Sequence, residues 1–169
     1  MRPRPVPLAV AARPTRRQEI RVPVPNRDRL GRPAPPGTAP ETTLPPQPLP
    51  SSAAEAFDAA IRLFDAGRFF EAHELFEQVW RSPEVDPADR PFWKGVTQVA
   101  VGFCHVQRGN ARGALALLER AVRNLDAFPS PHRGIDTRAL AVGARSIADA
   151  LRTAGDGAAP RFPVFPRAP

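Results

Sequence analysis

Gly67-Arg-Phe-Phe-Glu-Ala-His-Glu-Leu-Phe-Glu77 and Gly109-Asn-Ala-Arg-Gly-Ala-Leu-Ala-Leu-Leu-Glu119 follow one pattern. Each has a glycine, an alanine five residues on, then two apolar residues and a glutamate. Each reads as a turn followed by the second helix of a hairpin, because the glycine ends one helix and the apolar spacing after it is helical. The echo therefore predicts an all-α fold: a compact bundle of about five helices, built from two stacked helical hairpins and a further helix.

Working outward, Ser52 with Glu55 three residues later forms a capping-box signature. Phe57, Ala60, Ile61 and Phe64 then keep helical spacing up to Gly67. A second helix is expected from about Arg68 to Arg81. Pro83, Pro87 and Pro91 mark a loop, and Asp89 is the expected cap of a third helix running to about Arg108, with Pro91 in its first turn. The fourth helix carries Leu115, Leu118, Val122 and Leu125 and stops before Pro129. The fifth begins near Asp136 and places Leu140, Ala144, Ile147 and Leu151 on one stripe. The end, from Arg161 to Pro166, is irregular, with Phe162 and Phe165 available to pack back. Gly95, Gly102 and Gly113 fall inside helices, where each costs about 1 kcal/mol relative to Ala, so close helix–helix approach is expected there.

Composition divides the chain. Of 23 prolines, 14 lie in residues 1–50, which also hold nine Arg and no Lys against Glu19, Asp28 and Glu41. That is a net of +6 out of +7 for the whole chain, so the pI of 11.3 describes this segment and not the helices. Proline fixes φ and removes backbone donors, so residues 1–50 are expected to be a basic, disordered or extended tail. Residues 51–154 are the helical domain and 155–169 an irregular C-terminal segment. Within the tail, Pro25-Asn-Arg-Asp-Arg-Leu-Gly-Arg-Pro-Ala-Pro-Pro-Gly37 mixes charge with turn residues. It reads either as linker, the simpler choice on composition, or as a piece ordered across the domain. The single Cys104 excludes an intrachain disulfide. No apolar run is long enough for a membrane span, and the chain reads as cytoplasmic.

His73 and Glu77 share a face of the second helix, one turn apart; Gln98 and His105 share a face of the third. If the two helices pack side by side, these four converge. His73, Glu77 and His105 would then be a candidate first shell for a divalent metal, or an acid–base pair. A satisfied buried polar network is the simpler alternative. The spacing of His73-Glu-Leu-Phe-Glu77 lacks the second histidine of H-E-x-x-H. Trp80 and Trp93 are candidate pocket-lining residues, with core packing as the plainer role. His132, beside Pro131, reads as a surface residue. Arg108, Arg112, Arg120 and Arg123 read as a solvated helix face.

The stretches Gly67–Trp80 and Trp93–Ala114 carry a resemblance. His73, Glu77 and Trp80, then Gly95, Gln98 and His105, then Gly109-Asn110-x-x-Gly113-Ala114, are similar to the two sequence blocks of the domain of unknown function family 309. The Asn26–Gly37 piece also resembles a segment that precedes the domain in some members. The resemblance covers about residues 55–127 and implies a small helical-hairpin fold with no established activity. Tetratricopeptide repeats share the turn-to-helix glycine and alanine, but the 42-residue offset departs from their period of about 34. Two functions follow as expectations. The first is a non-catalytic interaction module whose basic tail contacts anionic partners. The alternative is a metal-dependent or acid–base enzyme centred on His73, Glu77 and His105.

Overall fold

The computed structural model describes residues 28, 30–33, 50–153 and 160–168. Five helices follow one another: α1 (Ala53–Asp65), α2 (Phe69–Arg81), α3 (Arg90–Gln107), α4 (Ala111–Asp126) and α5 (Thr137–Thr153). Each packs on the next in the chain, so α1–α2 and α3–α4 are the two hairpins and α5 closes on α4. Among the described residues there is no strand, only isolated bridge residues such as His132, Ile135 and Arg167. The expectation of a disordered tail concerns residues that lie, apart from 28, 30–33 and 50, outside those described.

The expected start of α1 is observed with one change. Ser52 Oγ accepts from Glu55 N at 3.2 Å, as a cap should. The reciprocal arm goes to Ser51 instead, whose N and Oγ both donate to Glu55 Oε2 at 2.7 and 2.8 Å. A first turn held this way satisfies N–H groups that the helix itself leaves open.

The core is aromatic. Phe64, Phe69, Phe76, Phe92 and Phe103 are fully buried, and each buried side chain of this size contributes about 1.5–3 kcal/mol. Phe162 and Phe165 of the C-terminal segment complete the cluster. Phe162 lies 4.7 Å from Phe69, and Phe165 lies 5.3 Å from Phe64, centroid to centroid. The Phe165 amide donates to Asp65 Oδ1 at 2.6 Å, which ties this segment to the end of α1. Glycine lets α3 and α4 come close, as expected: a Cβ on Gly102 would stand 2.6 Å from Leu118 Cδ2.

The first turn of α3 departs from expectation. Asp89 occupies the cap position, but its carboxylate makes no cap hydrogen bond. It is turned instead toward the loop between α4 and α5. His132 Nε2 bonds Asp89 Oδ1 at 2.9 Å, and Arg133 Nε donates to Oδ2 at 2.5 Å. His132 is therefore not a surface residue. Its ring is packed against Phe92 and Phe128, at 4.6 and 5.0 Å. The sequence neighbour Pro131 gave no hint of this, because the partners lie on α3 and at the end of α4.

Candidate functional site

Of the family-like residues, His105, Gly109, Asn110, Gly113 and Ala114 sit around the C-terminal end of α3. His105 is fixed by the turn that starts α4. Asn110 caps α4, its Oδ1 accepting from Gly113 N at 2.9 Å. Its amide nitrogen is thereby left to donate, and it reaches His105 Nδ1 at 2.8 Å. Nδ1 must then be the unprotonated nitrogen, and the ring carries its proton on Nε2. Gly113 is required by the same arrangement, since a Cβ there would stand 2.6 Å from both His105 Nδ1 and Asn110 Nδ2. The His-x4-Asn-x2-Gly spacing is thus one structural unit: a capped helix start locked to the preceding helix. Burial, then Arg108, then His73 hold the His105 pKa below the ordinary histidine value, so the ring is neutral at neutral pH.

His73 stands beside it on α2, close enough for the two imidazoles to influence each other electrostatically. Its Nε2 bonds Glu74 Oε1 at 3.0 Å, and its ring lies 5.0 Å from Phe70. Among the described residues its buried Nδ1 has no hydrogen-bond partner. Glu71, whose Oε1 takes Arg68 at 2.5 Å, likewise has its Oε2 buried and unmatched. Buried polar atoms are normally paired, so these two acceptors stand out, as does Gln78 Oε1 farther along α2.

Against this end of the bundle lies the piece of residues 28–33 that the structure describes. Asp28 closes it into a loop: its Oδ1 accepts from Leu30 N and Arg32 N at 2.9 and 2.8 Å, and its Oδ2 accepts from Arg32 Nε at 2.8 Å. Burial pushes the Asp28 carboxyl up, but these bonds outweigh it and leave the pKa below its ordinary value. Arg108 Nε donates to the Leu30 carbonyl at 2.6 Å, and the Cys104 thiol donates to the same oxygen at 3.6 Å. Burial holds the Cys104 pKa above that of an ordinary thiol, against the pull of Arg108. Gly31 is buried at φ +74°, with Phe70 so close that a Cβ would lie 2.1 Å from its ring. The ordered alternative for the segment around residue 30 therefore holds for these residues. The mix of charge with turn residues was the legible signal, and Asp28 as the loop's closing group was not.

The four residues of the predicted cluster do not converge. His73 and His105 are neighbours. Gln98 turns to α4, where its Oε1 accepts from Asn124 Nδ2 at 2.9 Å. Glu77 pairs with Arg81 at 2.7 Å and lines an open groove of about 390 Å³ between the start of α1 and the end of α2. Two helices packed side by side present two flanks, and Gln98 and Glu77 lie on different ones. Among the described residues no group of three or more His, Cys, Asp or Glu side chains is placed to hold a metal ion. The tryptophans part ways too. Trp93 is in the core, edge-on to Phe57 at 5.3 Å. Trp80 is half-buried near the cations of Arg81 and Lys94, at 5.9 and 6.0 Å. Neither lines the groove.

Among the described residues no helix is long and apolar enough to cross a membrane. The chain is 33% identical over 72 residues to "Uncharacterized protein YpuF" of Bacillus subtilis (strain 168), a match covering 43% of this chain. It spans 39% of that relative's length. Residues 57–117, from the middle of α1 to the middle of α4, match the family model described as "Domain of unknown function (DUF309)", the family that the His73 and His105 blocks resemble.

Proposed function

We propose that this protein is a non-catalytic interaction module whose bundle anchors an arginine-rich segment and directs it at anionic partners. One observation supports this above the others. The loop at residues 28–33 is fastened to the bundle through the Leu30 carbonyl on Arg108. The residues before it, 1–27, hold seven Arg against the single Glu19. An anchored, highly basic segment suits contact with a polyanion, where each neutralised phosphate releases counterions and binding weakens steeply with salt. Deleting residues 1–26, which spares the loop, should remove most affinity for a generic-sequence DNA duplex. Undiminished binding by the deletion would overturn the reading.

The sequence alternative, an enzyme or metal site around His73, Glu77 and His105, draws support from one feature: the buried, unmatched Nδ1 of His73 beside His105. Elemental analysis of protein purified without chelator tests it. Near-stoichiometric metal, lost in both His73→Ala and His105→Ala, would favour this reading; a metal-free wild type would count against it.

A further inference from the structure

We propose that the solvent face of α4 is a docking surface for the phosphate backbone of nucleic acid, continuous with the root of the basic segment. This deepens the interaction reading above and rests on it. α4 turns Ala114, Leu118, Ala121 and Leu125 into the core, so its opposite side is exposed and carries Arg112, Arg120 and Arg123. The helix also has two carboxylates, but both are already neutralised from α5. Arg152 holds Glu119 at 2.7 Å, and Arg145 holds Asp126. Among the described residues none of the three α4 arginines forms an ion pair. What reads in the sequence as an ordinary mixed-charge helix is, in three dimensions, a stripe of uncompensated positive charge.

The stripe belongs to a wider asymmetry. α1 and α2 together hold two arginines against six carboxylates, a net of −4, whereas α4 and α5 hold six against three, a net of +3. The two faces of the bundle differ by seven charges although the domain as a whole is nearly neutral. Such polarisation orients an approaching polyanion toward α4 and away from α1. The docked loop sits at the same place. Its anchor, Arg108, lies just ahead of the cap Asn110 that starts α4. Asp28, from which residues 1–27 depart, is therefore rooted where the arginine stripe begins.

The chemistry of the face selects the partner. Arg112 and Arg123 stand ~16 Å apart along the helix axis, a length over which a DNA duplex presents on the order of ten phosphates. α4 has no aromatic residue, so it offers nothing on which bases could stack, and its contacts should be with backbone, independent of sequence. A membrane surface fits poorly, because a helix lying on lipid must turn an apolar face outward, and that of α4 is inside.

The test uses the full chain and a fluorescent, generic-sequence DNA duplex, with affinity followed by anisotropy between about 50 and 200 mM salt. Combined Arg112→Gln, Arg120→Gln and Arg123→Gln should lower the salt slope by roughly 0.9 per arginine, about 2.7 in all. Arg62→Gln on α1 should leave it unchanged. The matching Arg→Lys combination keeps the charges and should retain the slope, which separates lost contacts from a damaged fold. An unaltered slope in the Gln variant, with the 1–26 deletion still impaired, overturns the α4 surface and spares the anchored-segment reading. A wild type that binds no duplex overturns both. A Gln variant that loses phosphatidylserine vesicles but keeps the duplex assigns the face to lipid and overturns the proposal as well.

Discussion

The two ends of α3 handle buried polarity in opposite ways. At its first turn Asp89, 8% exposed at the side chain, meets two positively polarised partners, His132 and Arg133. Burial pushes its pKa up, but the two partners outweigh this and hold it below the ordinary carboxylate value. At the last turn His105, Cys104 and Arg108 meet a helix cap and a docked loop, and two acceptors nearby, His73 Nδ1 and Glu71 Oε2, have no partner among the described residues. A closed network with opposite charges matched is what a structural joint requires. An end with unmatched acceptors and a loop laid over it is where another group has room to act. The first end is a joint that holds the fold together, and the second leaves room beneath a docked loop.

The comparison breaks most visibly at Asp89. Removing one member of a buried, hydrogen-bonded charge set leaves the others without compensation, so Asp89→Ala should cost about 3 kcal/mol. Arg133 is half exposed and loses less from this than His132 does. The measurement is urea unfolding at neutral pH. A cost below ~1 kcal/mol would mean that this joint is as dispensable as a surface ion pair.

At the other end the largest effect is expected from Gly113→Ala. The added methyl collides with both His105 and Asn110, neither of which is the far end of a long side chain. Overpacking of this kind costs about 2 kcal/mol. If the variant unfolds at the wild-type urea concentration, the His105–Asn110–Gly113 unit is not the lock inferred here. The double variant Gly113→Ala with His105→Ala, in which the clash with the ring is gone, should recover part of the loss.

These two ends differ in how much the sequence reveals. The helices themselves were legible because periodicity, the Ser52 cap and the prolines at 83, 87 and 91 are all local signals. So were Gly102 and Gly113 as close approaches, since a helical glycine needs a neighbour to justify it. That His73 and His105 belong to neighbouring helices was legible from helical spacing and the hairpin echo. Gln98 and Glu77 were misplaced because spacing gives a face but not which flank of that face a neighbouring helix covers. The Asp89–His132–Arg133 joint was illegible: its members lie more than forty residues apart, and each has a simpler local role. The charge stripe of α4 was hidden for a similar reason, because its neutralising partners come from α5.

A smaller, local effect is expected in the docked loop. Gly31→Ala places a side chain at a positive φ, costing about 1–2 kcal/mol, and against the Phe70 ring. The loop is one attached piece at the edge of the bundle, so it should detach while the helices stay folded. Roughly 1.4 kcal/mol is tenfold in population, and trypsin should therefore cut after Arg29, which precedes Leu30, about ten times faster, with the thermal midpoint nearly unchanged. Equal cleavage rates would show that the Asp28 bonds hold the loop by themselves. A large fall in the midpoint would make it part of the core.

The smallest effect distinguishes the two ends by pH. The His105 pKa is lowered in the folded state by burial, Arg108 and His73, so the unfolded chain takes up this proton first as pH falls. The sign follows: the contribution is intact above the unfolded histidine value of about 6.5, diminishes as pH drops below it, and is fully lost at the lower folded value. Asp89 has the same sign, but its window opens only near the ordinary carboxylate value of about 3.9. Between about pH 7 and pH 5 the difference in urea midpoint between wild type and His105→Gln should therefore shrink, whereas that between wild type and Asp89→Asn should stay constant on account of the carboxylate. A His105→Gln difference that holds steady across this range would mean the ring is as easily protonated folded as unfolded, and that the end of α3 is more open to water than its burial implies.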